Sequence, residues 1–103
     1  MHEHFIKNEL RKTLATAKSG DSWSPYMIGG SGAFYDSECM EMLYQLAKKG
    51  VTIHVGLCNK YSDTPLHLAY VHKNKAMIKF LLEQGADPLA KRYNGQIPSD
   101  LWY

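Results

Sequence analysis

The sequence predicts an all-α fold of stacked helix–turn–helix hairpins. Three observations predict it. First, Ser62 to Asp87 reads as two short helices joined by a turn, with apolar residues recurring at helical spacing in both. Such a hairpin cannot bury its apolar side alone, so it needs neighbours of its own kind. Second, Gly95 to Leu101 reads as the opening of another hairpin, and Pro98 follows Pro65 by 33 residues. Third, Met42 to Gly50 reads as an earlier second helix, and its Gly50 precedes Gly85 by 35 residues.

Taken in order, residues 3–19 form the first predicted helix. Phe5, Ile6, Leu10, Leu14 and Ala17 fall on one face, with most of the lysines and Arg11 elsewhere. Gly20 is a natural stop. Residues 20–36 break the repeat pattern: too apolar for a plain linker, with glycines at 29, 30 and 32. Their aromatics either fold back as extra core or contact a partner, since long loops in small domains serve both uses. Asp36 or Ser37 caps a helix over 37–49, with Met40, Leu43, Leu46 and Ala47 on its apolar face. Thr52 to Val55 has β character inside a long turn that ends at Asn59 to Asp63.

The clearest hairpin follows. Thr64 is a good N-cap, and Pro65 suits the first helical position. Leu66, Leu68 and Ala69 are its apolar positions. Lys73-Asn74 interrupts the helix, with Asn the residue that tolerates turn geometry. Met77, Ile78, Leu81 and Leu82 carry the second helix, and Gly85 closes it. Tyr70 is large for a close-packed position and needs space, which Ala47 can supply by volume. Asn94-Gly95 marks a tight turn. Trp102 either lies over the end of the stack as a lid or leaves an open end that docks.

Thr64-Pro65-Leu66-His67-Leu68-Ala69 and Leu81-Leu82-Glu83-Gln84-Gly85-Ala86-Asp87 stand in register within one period of about 33 residues. This stretch resembles the ankyrin repeat. Leu14 to Asp21 resembles the first helix of an opening repeat of that kind. The resemblance implies one domain over 1–103: a degenerate first repeat over 3–50 with an insertion at 20–36, a second repeat over 59–91, and an incomplete one over 92–103. It implies that His67 is structural, hydrogen-bonding the turn of an adjacent repeat. Ser62 and Lys73 stand where that family prefers Gly.

Composition narrows the function. The chain has 103 residues and a formal charge of +2, too little to suggest a nucleic-acid or membrane-surface partner. No apolar run is long enough to span a membrane. Cys39 and Cys58 fit no metal or redox spacing and read as reduced thiols of a cytoplasmic, intracellular protein. His2 and His4 flank Glu3 at a terminus, which makes a weak metal site at best. His54 and Cys58 lack a third ligand. No nucleophile stands beside a base, so no cofactor, metal or catalytic group is expected.

Recognition remains. The resemblance implies a protein-binding face made of turn tips and first-helix residues, here Lys60, Tyr61, Asp63, Val71, His72, Tyr93, Asn94 and Gln96. His72 is expected to be exposed. Trp23, Tyr26, Phe34 and Tyr35 of the insertion are further loop contacts. The expected function is a small adaptor or inhibitor that binds another protein. The alternative is a structural or self-associating piece of a longer array that uses its C-terminal end.

Overall fold

The computed structural model describes residues 2–24 and 36–102, with side chains from Ile6 onward. Helix α1 spans His2–Thr16. Strand β1 is Ser22–Trp23, helix α2 is Ser37–Lys48 and strand β2 is Thr52–Ile53. Helices α3, Pro65–Val71, and α4, Lys75–Glu83, form the central hairpin. A single 3₁₀ turn over Pro98–Leu101 follows. The all-α expectation holds, apart from the short strand pair.

The helices form because apolar side chains recur on one face of each. Ile6 and Leu10 of α1, Cys39, Met40, Leu43 and Leu46 of α2, and Leu66, Ala69, Met77, Phe80 and Leu81 of the α3–α4 hairpin share one core. The core continues across the repeats, as stacking demands. Tyr44 and Phe80 meet edge to face with ring centroids 4.9 Å apart, and the Tyr44 hydroxyl donates to Glu83 at 2.6 Å. These two contacts fasten α2 to α4.

Helix ends differ from expectation in ways that local bonds explain. The first helix stops at Thr16 rather than running to residue 19. Lys49 donates its Nζ to the Leu14 carbonyl at 2.9 Å, so a carbonyl in the last turn of α1 is satisfied from the end of α2. At the far ends of α2 and α4, Val51 N–H donates to the Leu46 carbonyl and Ala86 N–H to Leu81, at 3.1 and 3.0 Å. Gly50 and Gly85 take φ of +91° and +93° in those closures. Between α3 and α4 the left-handed residue is Lys73, φ +53°, not Asn74. Asn74 is instead the cap of α4, accepting from Met77 N–H at 3.1 Å.

Strand β1 is the part of the insertion that sequence patterning missed, whereas its partner β2 falls within Thr52 to Val55, where β character was expected. Ser22 pairs with Thr52 and Trp23 with Ile53 in parallel register. Thr52 N–H donates to Asp21 and His54 N–H to Trp23, at 2.8 and 2.9 Å. Trp23 is 9% exposed and lies in the core, so it is not a loop contact for a partner. Tyr26, Phe34 and Tyr35 lie outside the described residues. Tyr70 packs against the core and meets Trp102, ring centroids 6.0 Å apart and nearly perpendicular.

Candidate protein-interaction face

Two turn tips, residues 59–63 and 92–96, repeat one another at an interval of 33. Asn59 N–H donates to the Asp63 carbonyl at 3.1 Å, and Arg92 N–H to Gln96 at 2.9 Å. Ser62 N–H donates to Asn59 and Gly95 N–H to Arg92, at 3.0 and 2.9 Å. Ser62 and Gly95 both take positive φ, +63° and +86°. Side chains then shape each tip. Asn59 Oδ1 accepts from the N–H groups of Tyr61 and Asp63 at 2.9 and 3.1 Å. Asn94 Oδ1 accepts from Gln96 N–H at 3.2 Å. Asn recurs because its side chain can imitate a backbone turn.

The tips are locked to each other and to the helix behind them. Tyr93 N–H donates to the Tyr61 carbonyl at 3.0 Å. Arg92 Nε lies 2.7 Å from Asp63 Oδ1, off the line of a good hydrogen bond, and Nη2 donates to Oδ2 at 3.3 Å. Arg92 Nη1 also donates to the Gln96 side chain at 3.2 Å. His67, wholly buried, bridges the rest. Its Nδ1 accepts from Thr64 N–H at 3.0 Å, which leaves Nε2 as the donor to the Gln96 carbonyl at 3.2 Å. The implied role of His67 is therefore what the bonds give.

The sequence-predicted site residues divide accordingly. Lys60, Tyr61, Tyr93 and Asn94 are exposed at the tips, and Val71 is exposed on α3. Tyr61 and Tyr93 are 48% and 68% exposed, with ring centroids 6.2 Å apart. Lys60 Nζ lies 5.1 Å from the centre of the Tyr61 ring, and the Arg92 guanidinium 5.1 Å from that of Tyr93. Asp63 is not a surface residue. It is 5% exposed because it pairs with Arg92. His72 is half-buried at the end of α3 rather than exposed, and Gln96 is half-buried within the tip network. Arg92 was the residue missed. Nothing near it in sequence marks it, because its partner stands 29 positions away.

Among the described residues no group of three His, Cys, Asp or Glu side chains could hold a metal ion. None of their helices is long and apolar enough to cross a membrane. Burial in α2 pushes the Cys39 thiol up to about 11, so it is a poor nucleophile, while Cys58 is exposed.

Residues 61–93 match the ankyrin repeat model. This segment resembles an ankyrin repeat. The chain is similar to an ankyrin repeat protein of fowlpox virus (strain NVSL), 47% identical over 34 residues, which cover 33% of this chain and 18% of that one. It is also similar to the human transient receptor potential cation channel subfamily A member 1, 31% identical over 87 residues. That match covers 80% of this chain and 8% of the channel subunit. The chain thus spans a small part of both relatives. No solved structure matches it at a significant level. Ankyrin repeats are generally protein–protein interaction modules and not enzymes.

Proposed function

We propose that this chain is a small intracellular adaptor or inhibitor that binds a partner protein through the tips at 59–63 and 92–96. The supporting observation is the tyrosine pair. Two large amphipathic rings stand side by side in solvent on a backbone held by a direct bond and a partly buried ion pair. Tyr is among the residue types that most often anchor interfaces, and a pre-formed scaffold lowers the ordering cost of binding. Val71 on α3 and Asn94 within the second tip are exposed as well. Affinity capture from lysate with the intact chain, beside Tyr61→Ala/Tyr93→Ala, tests the proposal. A protein lost by the variant, with circular dichroism unchanged, supports it. Equal capture by both overturns it.

The C-terminal end favours a second reading, self-association. Trp102 is 41% exposed there, over Tyr70 and within 5.9 Å of Lys73 Nζ. Apolar area of that kind invites contact. Sedimentation at several concentrations separates the two, because a strictly monomeric chain rules out the second.

A further inference from the structure

We propose that the partner segment received by the tips is acidic, a protein stretch whose Asp and Glu side chains reach Lys60 and Lys91 while an apolar side chain lies on the tyrosine pair. This rests on the tips being the partner surface. Charge distribution carries it. Residues 59–63 and 91–96 hold three cations, Lys60, Lys91 and Arg92, and one carboxylate, Asp63. Arg92, half-buried, and Asp63, buried, neutralise each other. Lys60 and Lys91 are exposed, and among the described residues neither is in an ion pair.

The rest of the chain is balanced. Of its 12 Lys and Arg and 10 Asp and Glu, nine of each lie outside residues 59–63 and 91–96. The formal charge of +2 is therefore that of the two tips taken with Lys91, the residue just before the second. Exposed charges act over roughly 10 Å at moderate salt, which is the scale of a turn tip rather than of the whole surface. They steer an oppositely charged partner and set its register more than they hold it. Holding falls to the rings, one of which already fixes the Lys60 ammonium beside it. Two ammonium groups are too few for a nucleic acid, whose binding neutralises roughly six to ten phosphates in stable complexes.

Fluorescence anisotropy with the full chain tests this. The probes are a short labelled peptide alternating Glu with Leu, Pro and Tyr, its Gln analogue, and a labelled single-stranded oligothymidylate. The Glu peptide is expected to bind about tenfold more tightly than the Gln analogue, and Lys60→Glu/Lys91→Glu to remove that preference. Tyr61→Ala/Tyr93→Ala is expected to weaken both peptides. Equal binding of the two peptides that still falls in the tyrosine variant overturns the acidic partner and leaves the tip face standing. A preference for Glu untouched by either variant overturns the tip face itself. Tighter binding of the oligothymidylate, or binding of no probe, overturns the proposal.

Discussion

At the scale of single residues, two side chains sit in a conformation that suits glycine. Ser62 and Lys73 take φ of +63° and +53°. The left-handed region costs a residue with a Cβ roughly 1–2 kcal/mol, whereas Gly enters it freely and gives back part of the gain in unfolded-state entropy. Lys73→Gly and Ser62→Gly are each expected to stabilise by about 0.5–1 kcal/mol, read as a higher urea midpoint at constant slope. A lower midpoint for Lys73→Gly would mean that its ammonium over Trp102, 5.9 Å from the ring centre, outweighs the backbone. The reverse experiment uses two glycines of like φ. A Cβ on Gly85 meets open space, but one on Gly50 comes 2.6 Å from Ser19 Oγ. Gly85→Ala should cost about 1 kcal/mol and Gly50→Ala visibly more. In the sequence, the Lys73-Asn74 turn was legible, and Lys73 was marked as the residue that bends only by standing where the resembled family prefers Gly. Asn is the easier left-handed residue, yet its capping bond to Met77 N–H holds it at φ −85° and passes the bend to Lys73.

At the scale of elements, helix α1 is held to α2 by charge as well as by Ile6 and Leu10. Lys7 reaches Asp36 at 2.8 Å and Glu38 at 3.5 Å, and Arg11 pairs with Glu38. The Lys7 bond, followed by that from Cys39 N–H, holds the Asp36 carboxyl down to about 2 from its ordinary 3.8. The Arg11 bond lowers Glu38 as well. A carboxyl lowered on folding stabilises fully above its unfolded value and loses that contribution as pH falls through the folded one. The Asp36 contribution is therefore present above about pH 4 and gone below about pH 2. Asp36→Asn keeps an oxygen for the cap and removes the charge. It should flatten the fall in thermal midpoint between those pH values, and an unchanged fall would place the acid sensitivity elsewhere. The Asp36 cap was legible, because capping is local. The ion pairs were not, since Lys7 and Asp36 are 29 positions apart and exposed charges leave no pattern. The tips behaved alike: Asn59, Ser62 and Asn94-Gly95 announce their turns, while burial of Asp63 depends on Arg92 of the next turn.

At the scale of the whole molecule, the repeated pattern was legible because stacking imposes a period on the apolar positions, and the pairing of β1 with β2 was not, because two residues per strand carry no alternation. Stacking also sets the degree of cooperativity. Each hairpin buries its face against its neighbours, so an isolated repeat has little stability and the array unfolds as coupled units. The coupling is continuous from end to end. Helices α1 and α2 share core, Tyr44 joins α2 to Phe80 and Glu83 of α4, and His67 and Asp63 tie α3 and its turn to Gln96 and Arg92. Two tryptophans report on opposite ends: Trp23, 9% exposed beside β2, and Trp102, 41% exposed beyond the 3₁₀ turn. Trp102→Phe leaves the first as the fluorescent reporter, and Trp23→Phe the second. In each variant the fluorescence midpoint in urea is expected to coincide with the circular dichroism midpoint of that same variant, which cancels any stability lost to the substitution itself. A Trp102 signal that changes well before helicity would show the C-terminal turn opening alone, and the bonds from His67 and Asp63 would then be too weak to carry the stack to its end.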